Sequence, residues 1–301
     1  MDERAALALL EGELHPAGDD AAVVDGLVVT TDMLHERTDF PSGTTRYTAG
    51  WRSVGASLSD VAAMGASATA AVAAYAAPEF REEELLAFVR GARDVCEAVG
   101  GEYVGGDLDG HDEFTVATTA IGRTDDPVPR SGARLGDAVC VTGTLGRSAA
   151  ALELFRRGAR EDDPDARERA NELFRFEPRI AAGRALASHA TAMMDSSDGL
   201  ARSLHQLAEA SDCGFAVDSA AIPVDEAVQS VSENDDEALE RATTFGEDFE
   251  LVVTVPEAEL EAVREAVGVP LSRVGGVVGP DGGITVDDQA PAGGGKTHGE
   301  G

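Results

Sequence analysis

Hydrophobic positions along the chain follow two different spacings, and the two alternate through both halves of the sequence. Apolar residues three to four positions apart predict helices, whereas short runs rich in β-branched and small apolar residues are typical of strands. The predicted helices cover 3–14, the first part of the Ala-rich stretch 49–77, 81–99, 148–158, 179–189, 200–211 and 257–267. The predicted strands are 27–34, 70–76, 102–107, 114–122, 138–143, 214–219, 249–255 and 282–286. This alternation predicts an α/β protein built of α+β layers.

The segment TDDPVPRSGARLGD (124–137) interrupts the alternation with Pro, Gly and charged residues in the manner of a linker. We therefore predict two α/β domains, 1–128 and 129–301. The charged stretch 160–170 is predicted to be an exposed loop or the start of a helix.

The charge balance narrows the class of protein. The chain has 56 acidic and 24 basic residues, a formal net charge of −32, and 23 of the 24 cations are Arg. Such acidity argues against a nucleic-acid-binding protein, because affinity for a phosphate backbone depends on Lys and Arg. It is typical of a halophilic protein, since molar salt screens exposed charges over a few ångströms. With no apolar run of roughly 18 residues and no signal-peptide pattern, we expect a cytoplasmic protein without a membrane partner.

A repeated pattern places Asp directly after an apolar segment and beside Gly or hydroxyl residues. It occurs at 18–24, 28–33, 58–66, 103–110, 192–200 and 244–253. The neighbouring residues predict burial of Asp32, Asp60, Asp107, Asp195 and Asp198. Buried carboxylates need protons, cationic partners or metals. With few cations nearby, oxygen-only ligands favour Mg²⁺, and Mg²⁺ on several carboxylates indicates a phosphorylated substrate and phosphoryl transfer.

Three further segments bear on phosphate binding. The turn GTLGRS (143–148) follows a predicted strand, so the amides at the start of its helix are candidates for an anion site, although such turns commonly serve only as connections. Arg130, beside the domain boundary, is a candidate nucleotide contact or an ordinary surface Arg. The GKT segment at 295–297 lacks the Gly five positions earlier and a following helix, which excludes a P-loop.

Taken in order, the motifs GDDAAVV, TTDML, LSDVAAMGA, GGD, RSGARLGD, VTGTLG, DSSDGL and GEDFEL resemble those of the thiamine-monophosphate kinase family, from about residue 18 to 286. That family is similar in fold to aminoimidazole ribonucleotide synthetase. The resemblance implies a two-domain enzyme that transfers a phosphoryl group from ATP to thiamine monophosphate with several Mg²⁺ ions. It also implies a homodimer whose N-terminal domains pair into a shared β-barrel.

Site residues follow from the resemblance by motif position. The metal ligands or their close neighbours would be Asp20, Thr30, Thr31, Asp32, Asp60, Asp107, Asp195 and Asp198. The ATP contacts would be Gly106, Asp107, Arg130 and Ser197. The contacts to thiamine monophosphate would be Asp39, Glu247 and Lys296. No catalytic side chain is implied, because a phosphate monoester with a second pKa near ~6 is already mostly ionised at neutral pH.

The sequence departs from the family on the acceptor side. The usual closing segment carries an aromatic ring, whereas 295–299 has none and places Lys296 there. Where the family usually has the motif GGED, this chain has FGED. Where the family usually has a His after the TTD motif, this chain has Asp39. These departures leave open an aminoimidazole ribonucleotide synthetase-like enzyme and, from another class, a non-catalytic nucleotide-binding protein. Selenophosphate synthetase is disfavoured, because no Cys precedes Cys96 and no Lys precedes Lys296.

Overall fold

The computed structural model describes residue 13 and residues 18–289. The predicted helix at 3–14 and the substrate contact at Lys296 therefore lie outside the described residues. Within the described part, no helix is both long and apolar enough to cross a membrane.

The first half of the chain forms a five-stranded sheet. Its strands are β1 (Ala22–Val24), β2 (Leu27–His35), β3 (Ser67–Ala77), β4 (Glu102–Gly110) and β5 (Thr115–Arg123). They lie in the order β1-β2-β5-β3-β4, and all neighbours are antiparallel except β3 and β4. Four of the strands were predicted from the sequence, and only the three-residue β1 was not.

Helices cover one face of this sheet. They are α1 (Glu36–Asp39), α2 (Arg46–Ala63) and α3 (Glu82–Ala98). Thr45 starts α2, because its hydroxyl accepts a hydrogen bond from the Thr48 amide at 3.1 Å. Close packing of α2 against α3 requires Gly50, where a Cβ atom would lie 2.1 Å from the Phe88 carbonyl oxygen. This packing fixes the position of α2, which carries the polar residues of the site described below.

The opposite face of the five-stranded sheet is open. Met33 and Val72 are exposed there by 62% and 37%. The sheet is not closed among the described residues of the single chain. The expected barrel of two paired N-terminal domains would need a second copy and stays a prediction. An uncovered face with large apolar side chains indicates an interaction surface.

The second half of the chain forms a six-stranded sheet. Its strands are β6 (Asp137–Thr142), β7 (Ala192–Asp195), β8 (Gly214–Val217), β9 (Leu251–Pro256), β10 (Leu271–Val278) and β11 (Ile284–Val286). The order is β11-β8-β10-β6-β9-β7, with only β11 and β8 parallel. The sequence pattern does not predict β10, because Gly275 and Gly276 interrupt its apolar run. Gly275 is needed there, since its Cβ would lie 2.2 Å from the Ala216 carbonyl oxygen.

Both faces of the second sheet are covered by helices. They are α4 (Arg147–Glu161), α5 (Pro164–Phe174), α6 (Ile180–Leu186), α7 (Leu200–Ser211), α8 (Glu226–Val231), α9 (Asp235–Thr244) and α10 (Leu260–Val267). The helix predicted at 200–211 is confirmed in both bounds. The stretch at 160–170 covers the end of α4 and the first part of α5, whose buried Ala166, Ala170 and Leu173 form an apolar side. Helices α8 and α9 were not predicted.

One apolar core joins the two halves. Alternate residues of β6 and β9, such as Cys140 and Val253, share a buried cluster with Val54 and Leu58 of α2 and with Leu186 of α6. The other side of the second sheet forms a separate core with α4, α5 and α7. Helix α2 therefore lies between the two sheets, and the site forms where it meets the end of β7. In the sequence, the strands of the first sheet precede the linker at 124–136 and those of the second sheet follow it. The domain boundary at residue 128 stays a prediction.

Candidate functional site

Three carboxylates from distant parts of the chain meet in one place. Carboxylate oxygens of Asp20, Asp60 and Asp195 all lie within 4.8 Å of one another. Asp20 precedes β1, Asp60 lies near the end of α2, and Asp195 is the last residue of β7. Packing of α2 between the sheets thus brings together side chains that are up to 175 positions apart (195 − 20).

Asp195 is held in an unusual environment. Its side chain is buried, and among the described residues its Oδ2 atom has no hydrogen-bond partner. The neighbouring Ser196 hydroxyl is also buried without a partner in the same part of the chain. Burial, followed by the charge of Asp20, raises the pKa of Asp195 to about 8. A buried oxygen of this kind requires a proton or a cation.

The other two carboxylates are partly compensated. Thr30 donates from its hydroxyl to Asp60 Oδ2 at 2.5 Å. Arg130 donates from Nε and Nη2 to the two oxygens of Asp20 at 3.1 and 2.9 Å. Even so, burial raises the pKa of Asp20 despite Arg130, and burial with the charge of Asp195 raises that of Asp60 well above its usual value. The cluster carries more negative charge than its protein partners neutralise.

This donor set fits Mg²⁺. All nearby ligand atoms are oxygens, which suit hard divalent ions rather than zinc. The unpartnered Oδ2 of Asp195 and the mutual repulsion of three carboxylates are the features that a bound cation would relieve. The residues present therefore fit the metal that the sequence predicts.

Asp32 lies beside the cluster. Ser57 of α2 donates to Asp32 Oδ2 at 2.6 Å, and burial raises the pKa of Asp32. Its charge in turn contributes to the raised pKa of Asp60. Thr31 precedes Asp32 on β2, and its side chain lies on the other face of the sheet. Its hydroxyl donates to the Thr118 carbonyl oxygen at 2.8 Å, and its side chain is exposed, so it does not join the cluster.

Two of the predicted metal residues are not buried as expected. Asp107 is exposed, because on the edge strand β4 it pairs with Ala74, which is exposed on the open face of the first sheet. Asp198 is also exposed, three residues beyond the end of β7. The pattern of an apolar segment before Asp does not distinguish an edge strand or a loop from a buried strand end.

Gly106 lies three strands away from Asp32. Strand register pairs Asp32 with Thr118, Thr118 with Ala73 and Ala73 with Gly106. At ~4.8 Å per strand this is about 14 Å. Any side chain at Gly106 would meet the Ala73 carbonyl oxygen, since a Cβ there would lie 1.7 Å away. Within one chain, Gly106 and Asp107 are therefore apart from the three carboxylates.

The motif GEDFEL forms a strained loop against the DSSDGL segment. Glu247 and Phe249 have left-handed φ angles of 60° and 54°, a conformation that costs about 1–2 kcal/mol for each residue with a side chain. The loop is held by the Glu247 amide, which donates to the Ser197 carbonyl oxygen at 2.6 Å, and by the Ser196 amide, which donates to the Glu250 carbonyl oxygen at 2.8 Å. Ser197 thus supports the Glu247 loop through its backbone.

Other acidic residues of this motif have structural partners. Asp248 accepts hydrogen bonds from the amides of Gly146 and Ser148 at 2.5 and 2.8 Å. It therefore occupies the amides at the start of α4, where the sequence suggested an anion site. Glu250 accepts from Nε and Nη2 of Arg179 at 2.7 and 2.5 Å. Burial raises the pKa of Asp248 to about 7.

An arginine that sequence reasoning missed lies near both predicted acceptor residues. It bonds to Glu247 and is acted on by the charge of Asp39. Arg52 donates from Nη2 to Glu247 Oε2 at 2.5 Å. Asp39 accepts from the His35 amide at 2.6 Å. Burial lowers the pKa of the Arg52 guanidinium, and the charges of Glu247, Asp248 and Asp39 oppose that shift. The available signal was an Arg in the interior of α2, among its small and apolar residues.

Comparison with known proteins places this chain in a family. The AIR synthase related protein N-terminal domain matches residues 18–124, and the C-terminal domain of the same family matches 134–288. Thiamine-monophosphate kinase of Halobacterium salinarum is 64% identical and covers 99% of this chain and 100% of its own. The enzyme of the same name from Methanospirillum hungatei is 38% identical over 92% of each chain.

Solved structures agree with these relatives. AaThiL complexed with AMPPCP and TMP superposes with a TM-score of 0.87 at 29% identity and covers 99% of this chain and 97% of that chain. Thiamine-monophosphate kinase from Stenotrophomonas maltophilia gives a TM-score of 0.80 at 31% identity, with 96% of each chain covered. These matches do not favour the aminoimidazole ribonucleotide synthetase-like alternative. By sequence and by fold, the chain belongs to the thiamine-monophosphate kinase family.

Proposed function

We propose that this chain transfers the γ-phosphoryl group of ATP to the phosphate of thiamine monophosphate with Mg²⁺ bound at Asp20, Asp60 and Asp195. The reaction forms a bond from an acceptor phosphate oxygen to the γ-phosphorus, breaks the bond from that phosphorus to the β,γ-bridging oxygen, and releases ADP and thiamine diphosphate. The observation that carries the proposal is the convergence of three carboxylates within 4.8 Å, one with an unpartnered buried oxygen. The relative solved with AMPPCP and TMP supports both substrates.

Bound Mg²⁺ would neutralise charge on the phosphate oxygens during transfer. The protein's own contribution is to position the two substrates. Thr30 and Ser57 orient the carboxylates of Asp60 and Asp32 by hydrogen bonds. Because the acceptor phosphate is ionised near neutral pH, with a second pKa of about 6, no general base is required.

The remaining residues of the motifs receive proposed roles by family position. Thr31, Asp107 and Asp198 are proposed as further metal ligands or their neighbours, which corresponds to more than one Mg²⁺ ion. Gly106, Arg130 and Ser197 are proposed to contact ATP, and Asp39, Glu247 and Lys296 are proposed to contact thiamine monophosphate. For Arg130 this role competes with its two hydrogen bonds to Asp20.

We further propose that the open face of the five-stranded sheet pairs with a second copy to form a homodimer. Met33 on β2 and Val72 on β3 are exposed on this face, on either side of β5. Thr31 and Ala74 are exposed on the same face, and Asp107 pairs with Ala74 in the strand register. A partner on this face would bring Thr31 and Asp107 into an enclosed environment, which their exposure in one chain does not provide.

We also propose that the protein works in the cytoplasm of a cell with molar internal salt. A net charge of −32 supports this proposal, because self-repulsion of that size opposes folding unless salt screens it.

A transfer assay tests the proposed function. Purified protein in molar KCl is incubated with ATP, Mg²⁺ and thiamine monophosphate, and ADP and thiamine diphosphate are quantified by chromatography. The expected result is equimolar formation of both products, with no product from free thiamine, which lacks the acceptor phosphate. ATP binding without any thiamine diphosphate would instead support a non-catalytic nucleotide-binding protein.

A further inference from the structure

Arg52 is one of the largest fully buried side chains of the protein, with 2% exposure. Its Nη1 atom donates to the Phe174 carbonyl oxygen at 2.8 Å. Its Nη2 atom donates to the Glu247 carbonyl oxygen at 3.1 Å and to Glu247 Oε2 at 2.5 Å. The guanidinium also lies 3.6 Å from the ring centroid of Phe174. A buried cation with this many directed contacts fixes the groups that it touches.

Arg52 acts on both the backbone and the side chain of Glu247. The Glu247 carbonyl oxygen accepts from Arg52 and also from the Ser148 hydroxyl at 2.7 Å. These bonds hold a residue whose φ angle of 60° is unfavourable without support. The Glu247 side chain remains one-third exposed, whereas Arg52 lies beneath it. Arg52 thus fixes the Oε2 atom of a side chain that remains partly accessible.

The aromatic residues around Arg52 restrict its movement. Phe176 and Phe249 stack with ring centroids 4.2 Å apart and an interplanar angle of 17°. Both ring centroids lie 5.5 Å from the Arg52 guanidinium carbon. Phe249 belongs to the same strained loop as Glu247, so the loop is anchored to Arg52 at two positions.

Helix α2 connects this contact to the metal cluster. Arg52 and Asp60 are eight residues apart on α2, which corresponds to about 12 Å along the helix axis. A continuous helix is rigid over this length, so it sets the separation between the Glu247 loop and the three carboxylates.

We propose that Arg52 is a positioning residue that orients the Glu247 carboxylate toward the phosphorylated acceptor and holds it at a fixed distance from the metal cluster. This inference rests on the proposed function. Thiamine monophosphate carries a cationic thiazolium ring and an aminopyrimidine N–H group, both of which a fixed carboxylate recognises. Loss of Arg52 then weakens binding of the acceptor and leaves binding of ATP unchanged.

The test measures steady-state kinetics of Arg52→Met and Arg52→Lys with each substrate varied in turn. Arg52→Met is expected to raise KM for thiamine monophosphate at least tenfold and to change KM for ATP less than twofold. Arg52→Lys is expected to restore KM for thiamine monophosphate to within about threefold of the wild type, because an ammonium group can still donate a hydrogen bond to Glu247 Oε2. Equal effects on both KM values, or a loss confined to kcat, would overturn the inference.

Arg264→Met is the matched control. Arg264 also bonds to a backbone carbonyl oxygen, that of Leu271 at 3.2 Å, and to a glutamate, Glu261, at 2.7 Å. It lies on α10, outside the site. This variant is expected to keep the wild-type KM for both substrates.

A second route keeps the test decisive if Arg52→Met does not fold. Glu247→Gln removes the carboxylate from the other side of the contact and is expected to raise KM for thiamine monophosphate as well. Arg52→Lys keeps a cation beside Glu247, so the contrast between its near-wild-type KM and the raised KM of Glu247→Gln assigns the effect to the contact between the two groups. An unchanged KM for thiamine monophosphate in Glu247→Gln would refute the positioning role. Failure of the wild type to make thiamine diphosphate would refute the proposed function instead.

Discussion

Arg130 and Asp20 form a two-point ion pair at the junction of the two halves of the chain. The guanidinium donates to both carboxylate oxygens, and the Asp20 side chain is fully buried while that of Arg130 is 22% exposed. Arg130 thereby supplies the cationic side chain bonded to a cluster of three carboxylates. It also joins the linker after β5 to the segment before β1, so the pair contributes to the fold as well as to the site.

Replacement of Arg130 by Met is therefore expected to lower stability and to weaken ATP binding. Loss of one partner from a buried ion pair typically costs about 3–5 kcal/mol, because the remaining charge is left uncompensated. Denaturant unfolding with and without MgCl₂ measures the effect. Mg²⁺ should restore more stability to the variant than to the wild type. An equal response of both proteins to Mg²⁺ would argue that Asp20 does not bind the metal.

Asp248 makes stability depend on pH. Its pKa is raised to about 7, chiefly by burial. The amides of Gly146 and Ser148 and the charge of Arg52 oppose this shift, and the charge of Glu250 adds to it. A folded-state pKa above the unfolded value of 3.8 means that the folded protein binds more protons between these values. The contribution of Asp248 to stability is complete below about pH 4 and is lost as pH rises to about 7, a change on the order of 4 kcal/mol.

The comparison of the wild type with Asp248→Asn isolates this contribution. Unfolding free energies of both proteins are measured in molar KCl between pH 4 and pH 8. The difference between wild type and variant should shift in favour of the variant as pH rises through this range. A difference that is independent of pH would show that Asp248 does not titrate there.

The open face of the first sheet gives a prediction about assembly. Val72→Asp places a charge in the middle of this face and is expected to convert a dimer to a monomer, as measured by light scattering after gel filtration. Leu135→Asp is the control, because Leu135 is exposed by 78% and lies in the linker rather than on the sheet. A Val72→Asp protein that remains dimeric would place the dimer contact elsewhere.

Salt is expected to stabilise the protein strongly. Its 56 acidic residues face only 24 basic ones, and at 1 M salt the screening length falls to about 3 Å. The melting temperature by circular dichroism should rise continuously with KCl up to molar concentration. Sucrose at matched osmolality should produce a smaller rise, because it does not screen charge. Equal effects of KCl and sucrose would contradict the electrostatic explanation.

Much of the fold could be predicted from hydrophobic spacing, because most elements have a clear period. Strand β10 could not, because Gly275 is required by close contact with Ala216 and breaks the apolar pattern that identifies strands. Helix α5 was obscured for the opposite reason, since its charged exposed side dominates the sequence and its buried side depends on small Ala residues.

The residue types of the site could be predicted from the sequence, but the side chains that contact one another could not. The apolar and hydroxyl residues before Asp60 and Asp195 indicated their role, and the two do converge. The same pattern failed to predict the exposure of Asp107, because sequence does not reveal that β4 is an edge strand. The contact of Arg52 with Glu247 joins positions 195 residues apart, and no local pattern encodes such a pairing.

The transfer assay on Asp195→Asn tests the proposed metal site most directly. We expect at least about a 1,000-fold loss of thiamine diphosphate formation, because Mg²⁺ held by the three carboxylates would neutralise charge on the phosphate oxygens during transfer. Unfolding free energy without Mg²⁺ should be unchanged or higher, since one of three repelling groups is removed. Asp281→Asn, at an exposed aspartate outside the site, should retain wild-type activity. Turnover of Asp195→Asn within tenfold of the wild type would contradict the metal site and the mechanism built on it.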